Sequence, residues 1–117
     1  MKITTPHCIN IEKATLENDL FRKIIYTTNL TQLVVMTLKP KQNIGMEVHN
    51  GDQFIRIEKG KGVAILNNIV YPLYDGISIT IPKKTHHDII NTSETEMKLY
   101  TIYSPPQHED NFTTLNQ

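Results

Sequence analysis

Between Gly45 and Gly62 the sequence reads GMEVHNGDQFIRIEKGKG, a stretch dense in side chains that hold metals or move protons. Glu47 and His49 lie two positions apart, so on a β-strand both leave the same face. Asn50-Gly51 reads as a tight hairpin turn, because both residue types tolerate positive φ, and Gln53 follows on the return strand. A carboxylate, an imidazole and an amide oxygen are therefore expected to converge across one hairpin. Beyond Pro82 comes His86-His87, where alternation sends the two rings to opposite sides; His87 is the candidate for the site and His86 a surface residue. Two imidazoles, one carboxylate and one amide oxygen can hold a divalent ion with positions left for water or substrate. The expected metal set is Glu47, His49, Gln53 and His87, with manganese, iron, nickel or zinc as the ion, and Glu47 doubles as the candidate catalytic base. A lone carboxylate leaves such a centre positively charged, which favours an anionic or chelating ligand.

The elements that must position these residues read as short strands. Residues 21–28 (FRKIIYTT) and 31–38 (TQLVVMTL) are rich in strand formers, and the unbroken apolar run of the second predicts cover on both faces. On residues 53–58, Gln53, Ile55 and Ile57 share one face, and Phe54, Arg56 and Glu58 the other. Residues 62–66 and 69–74 read as a hairpin around Asn67-Asn68, with Pro72 confining its second arm to a sheet edge. Ile77, Ile79 and Ile81 alternate with Ser78 and Thr80; His87, Ile89 and Asn91 share a face; and MKLYTIY over 97–103 supplies a further strand. Asn91 reads as a residue that satisfies backbone groups. No window has a convincing helical period. The division expected is an N-terminal arm (1–20), a β-barrel (21–106) and a C-terminal tail (107–117) that loses periodicity, with His108 or Glu109 candidates to reach the site if the tail folds over the barrel mouth.

Length and charge bound the function. The 117 residues fit one domain with a real core. Twelve Lys+Arg against twelve Asp+Glu, without a basic run, argue against nucleic-acid binding. No stretch approaches the roughly 20 apolar residues of a membrane span or a signal core, so a cytoplasmic protein is expected. Cys8 is the single cysteine and can form no intrachain disulfide.

Many short strands punctuated by Gly, Pro and Asn predict an all-β barrel or double-sheet sandwich. The residues that carry the chemistry give the chain a resemblance to the cupin superfamily, small jelly-roll β-barrels with two signature motifs. In the first, Glu47 stands where the family has a His, His49 matches the second His, Gln53 falls at the Glu position and Gly60 at the closing Gly. In the second, Gly76, Pro82, His87 and Asn91 match at the family's spacing, with Lys84 where a Gly is expected. The resemblance is nearest to single-domain cupins similar to mannose-6-phosphate isomerase, through Glu47-Val48-His49, Asp52-Gln53-Phe54 and Tyr103-Ser104-Pro105-Pro106. It implies a jelly-roll fold, a metal centre and sugar isomerase- or epimerase-like activity. The zinc-type phosphomannose isomerases have a similar ligand set of two His, one Glu and one Gln. Other readings are a non-catalytic binding module for a sugar or small metabolite, and an iron-dependent dioxygenase. Tyr103, at a strand end, is the candidate substrate contact, while Tyr71, Tyr74 and Tyr100 read as packing residues. Arg56 and Lys98 would suit a phosphate but fall on the outer face, so no cationic anchor is evident. A homodimer is expected, to cover the two-sided apolar strand 33–38 and outward Phe54.

Overall fold

The apolar run TQLVVMTL forms a strand, β2 (Gln32–Leu38), whose residues are all buried, because one face lines the core and the other is covered. The structure is a computed structural model and describes residues 2–108 together with the backbone of 113–114. The remaining strands are β1 (Arg22–Thr27), β3 (Asp52–Lys59), β4 (Gly62–Leu66), β5 (Ile69–Leu73), β6 (Ser78–Ile81), β7 (His87–Asn91), β8 (Met97–Ser104) and β9 (Thr113–Thr114). They build an antiparallel six-stranded sheet, β6-β3-β8-β2-β1-β9, and a three-stranded sheet, β5-β4-β7. This is the expected jelly-roll architecture. Alternation packs the inner faces: Val34, Met36, Ile55, Ile57, Ile79, Ile81 and Leu99 from the larger sheet meet Ala64 and Ile89 from the smaller. Among the described residues no helix is long and apolar enough to cross a membrane.

The N-terminal segment departs from the expectation of no helical period. It contains a helix, α1 (Ile11–Glu17), capped by Asn10, whose side chain accepts from the Lys13 N–H at 3.0 Å. Seven residues with one strongly apolar position on the inward side give too short a window for a helical period. Thr15 and Asn18 face inward, and Thr37 on the outer face of β2 donates to the Asn18 carbonyl at 2.7 Å. The outer face of β2 is thus closed within one chain, with Leu33 6% and Val35 0% exposed, so the cover sought in a second copy is already present. Phe54 packs partly against Tyr100.

The hairpin expected around Asn50-Gly51 does not form. Neither residue has positive φ, and residues 43–47 pair with β7 in the other sheet through Asn43↔Ile90 and Glu47↔His87 bridges. Gly51 serves a close approach instead: a Cβ there would lie 2.5 Å from the Ser104 carbonyl oxygen and 2.6 Å from Pro105 Cδ. The Asn67-Asn68 hairpin does form, with φ of 48° and 69° at its two residues, and Pro72 does lie on an edge strand. Tyr71 and Tyr74 differ from their expected packing role, being 44% and 52% exposed.

The first residues of the tail are held against β2. The side-chain oxygen of Gln32 accepts from the N–H groups of Gln107 (3.2 Å) and His108 (3.0 Å), while its amide donates to the His108 carbonyl at 2.8 Å. Farther on, β9 pairs with Arg22 and Lys23 of β1. Glu109 lies outside the described residues.

Candidate metal centre

Glu47 reaches the site through backbone pairing. Its N–H and carbonyl exchange hydrogen bonds of 2.8 Å with those of His87, which sets the two side chains beside each other at the barrel mouth. His49 follows, its carbonyl accepting from the Lys84 N–H at 2.8 Å. The potential ligand atoms of Glu47, His49 and His87 all lie within 4.8 Å of one another. Glu47 Oε1 is 3.5 Å from His49 Nε2 and 3.9 Å from His87 Nε2, and the two imidazole centroids are 5.1 Å apart.

The hydrogen bonding fits a cation. His87 Nδ1 lies 2.9 Å from the Thr85 carbonyl, so this nitrogen carries the hydrogen and Nε2 presents a lone pair to the site. The Nε2 atoms of His49 and His87 and Oε1 of Gln53 are buried without a hydrogen-bond partner. Three buried polar atoms in that condition are costly to the fold unless something meets them. Burial tends to raise the Glu47 pKa. The His49 ring, 3.5 Å away, and the charges of His49, His87 and Arg22 outweigh that and hold the carboxyl below its usual range. At neutral pH Glu47 is a carboxylate, a ligand or a base.

Gln53 arrives from the opposite sheet. It is 4% exposed on β3, paired with Tyr103 and Ile81, and its amide donates to Thr101 Oγ1 at 2.9 Å, while its oxygen has no hydrogen-bond partner. Tyr103 packs edge-on to His49 at 5.8 Å. Burial, reinforced by the Glu47 charge, pushes its phenol far above the usual value, so it remains a protonated donor rather than a base. His86 is exposed, away from the centre. Asn91 is structural: its amide donates to the carbonyls of Leu38, Lys39 and Thr95 at 2.8–3.1 Å.

Two further residues border the site. His108, set in place by Gln32, packs edge-on to Tyr103 at 5.1 Å and continues the row of rings from His87 through His49. Burial, with the nearby charge of Arg22 and a smaller contribution from His49, pulls its pKa down to about 4 against the opposing influence of Glu47. Arg22 is 8% exposed and lies opposite the core residue Met36, on the inner face of the sheet. His108 was a candidate from the tail. Arg22 was missed, since FRKIIYTT has no alternation that would mark its second residue as inward.

Comparison with known proteins accords with this architecture. Residues 34–103, more than half of the chain, match the family model described as Cupin domain. The chain is 45% identical over 107 residues to the uncharacterized protein L612 of Acanthamoeba polyphaga mimivirus, covering 87% of this chain and 67% of that protein. It is 40% identical over 110 residues to the uncharacterized protein YrkC of Bacillus subtilis strain 168, covering 88% of this chain but only 59% of that one. Among solved structures, BH2720 of Bacillus halodurans superposes with a TM-score of 0.93 at 33% identity, over 95% of this chain and 89% of that one. A jelly roll with a His/Glu cluster at its mouth, a match across both signature motifs and this likeness of structure make the chain a small member of the cupin superfamily.

Proposed function

We propose that Glu47, His49, Gln53 and His87 hold a divalent transition metal and present it to a small oxygen-bearing ligand, such as a sugar, for isomerase- or epimerase-type proton transfer. The observation that carries this reading is the set of buried polar atoms on His49, His87 and Gln53 left without hydrogen bonds, the two rings lying beside the ionised Glu47. When bound, a divalent ion supplies Lewis acidity to a carbonyl or hydroxyl oxygen. The chain's own part is to fix the His87 tautomer through Thr85, to keep Glu47 ionised as a proton acceptor, and to offer the Tyr103 hydroxyl as a donor that orients the ligand. Ile55, Ile79 and Ile81 line the interior beneath and exclude water.

A second reading rests on the trio itself. Two His and one carboxylate are the ligand set of non-haem iron oxygenases, so oxygen uptake by the iron-loaded protein separates the two chemistries. Ligand binding that survives chelation would instead favour a non-catalytic module.

The first experiment is metal content by elemental mass spectrometry, on protein purified without chelator or affinity tag, beside a His49→Ala/His87→Ala variant. Near-stoichiometric metal in the wild type and its loss in the variant are expected. Equal content in both after incubation with manganese, iron, nickel and zinc in turn would overturn the metal reading.

A further inference from the structure

The loop that leads into His87 is clasped by the tip of the β4–β5 hairpin. Leu66 and His87 are cross-strand partners, so the turn residue Asn67 falls beside His86. Asn67 takes both backbone polar groups of His86: its N–H donates to the His86 carbonyl at 2.8 Å, and its side-chain oxygen accepts from the His86 N–H at 3.0 Å. The φ of 48° at Asn67 is a left-handed conformation that asparagine tolerates better than most side chains.

The second of these bonds bears on the metal centre through a single peptide unit. The His86 N–H and the Thr85 carbonyl belong to one planar peptide and point in opposite directions. On one side the N–H meets the Asn67 oxygen; on the other the carbonyl lies 2.9 Å from His87 Nδ1. A backbone N–H can only donate and a carbonyl can only accept, so both ends of this chain are fixed: Asn67 presents oxygen, and His87 Nδ1 carries hydrogen. Turning the peptide over would break both bonds together and aim an N–H at Nδ1, which favours the opposite tautomer. The other ties of the loop hold different peptides: Thr85 N–H donates to the Pro82 carbonyl at 3.2 Å and Lys84 N–H to the His49 carbonyl at 2.8 Å. Asn67 and His86 are exposed, so water competes for the bonds between them, and losing the Asn67 oxygen should shift a population rather than abolish a state.

We propose that Asn67 is a positioning residue for the metal centre: by fixing the plane of the Thr85–His86 peptide it holds His87 in the Nδ1–H tautomer, with Nε2 unprotonated on the side of Glu47. This deepens the metal reading by naming what readies His87 as a ligand, and its first test needs no ion.

That test is the His87 ring tautomer in the isotope-labelled, chelator-treated full chain, read from long-range nitrogen–proton NMR correlations at about pH 8.5, where imidazoles of ordinary pKa are neutral. Wild type, Asn67→Gly and Asn67→Asp are compared, with Asn68→Gly as the control for the turn and His87→Gln to assign the ring signals. Glycine keeps the positive φ and the backbone bond to the His86 carbonyl but removes the side-chain acceptor, whereas aspartate keeps an acceptor. The wild type should show hydrogen on Nδ1. Asn67→Gly should move the tautomer ratio toward Nε2–H by roughly fivefold or more, while Asn67→Asp and Asn68→Gly keep the wild-type pattern. The wild-type pattern in Asn67→Gly, or hydrogen on Nε2 in the wild type, overturns the inference. If Asn67→Gly does not fold, Asn67→Asp carries the test: its charged acceptor should move the His86 amide proton downfield, and an unmoved signal counts against the proposal. Manganese affinity, measured by competition with a chelating dye, should fall several-fold in Asn67→Gly and recover in Asn67→Asp. A changed tautomer with unchanged manganese affinity overturns the positioning role. Absence of manganese binding by the wild type overturns the metal reading and leaves the tautomer to decide what Asn67 does to His87.

Discussion

If the proposed metal set is right, Gln53 sets how strongly the centre would hold an ion, because a carboxylate in its place would nearly neutralise a divalent charge. Its oxygen is buried without a partner and its amide is committed to Thr101, so Gln53→Glu changes one charge and little volume. An unpaired buried carboxylate is costly, and the metal-free variant should therefore melt below the wild type. With the ion present the added charge should tighten binding by about tenfold or more, measured by competition with a chelating dye. A variant that changes neither quantity would remove Gln53 from the ligand set. Asn91 gives the contrasting case. Its amide holds three carbonyls and its oxygen accepts from Ser93 N at 3.0 Å and Ser93 Oγ at 2.9 Å. Asn91→Ala should cost roughly 3 kcal/mol in chemical denaturation by stranding those groups, yet leave metal content unchanged. Loss of metal at full stability would show that the reading of Asn91 as structural is mistaken.

At the scale of elements, the connections carry the site, and they separate what could be read in the sequence from what could not. Gly51→Ala drives a Cβ into the Ser104 carbonyl and Pro105, so it should destabilise by about 2 kcal/mol or more. Gly76→Ala meets open space and pays only for its φ of +90°, roughly 1 kcal/mol, so denaturant melts should rank the two in that order. The sequence made β2, the Asn67-Asn68 turn and the alternation of β6 legible, because each is written in adjacent residues. His87 and Asn91 were legible through their spacing from Pro82. The Glu47–His87 bridge was not, since strand pairing between distant segments leaves no local trace, and the local Asn-Gly signal pointed to the wrong partner. Arg22 was hidden for a related reason: a buried arginine is rare, and only sheet pairing turns it inward. The docked tail has its own signature. His108 titrates at about 4 in the folded chain, below the ordinary value of 6.5, so its docking stability is present above 6.5 and is lost as pH falls toward 4. Among the described residues, Arg22, Glu47 and His49 act on it electrostatically. Amide exchange at Gln107 and His108 should therefore accelerate across that interval, and His108→Asn should flatten the change; exchange independent of pH-driven opening would refute it.

For the whole molecule, the proposed metal set draws on both sheets. His87 belongs to the three-stranded sheet and Gln53 to the six-stranded one, while Glu47 and His49 lie on the segment between β2 and β3. Elsewhere the sheets are joined by apolar packing, whereas two imidazoles and a carboxylate cluster together and the amide oxygen of Gln53 is buried without a partner. On the proposed reading a bound ion would cross-link the sheets and bind the folded chain only. At a free concentration a hundredfold above its Kd it should add about 2.7 kcal/mol of stability and raise Tm by on the order of 10 °C. Chelation should reverse the rise, and the His49→Ala/His87→Ala variant should lack it. A change in Tm alone would not locate the ion, since adventitious binding at a surface carboxylate also stabilises. Amide exchange resolves this: protection should increase at residues 45–49 and along β7, the segments bridged by Glu47 and His87, and much less at the β4–β5 turn. A Tm rise without that pattern would place the ion elsewhere and sever the link between the buried polar atoms and metal binding.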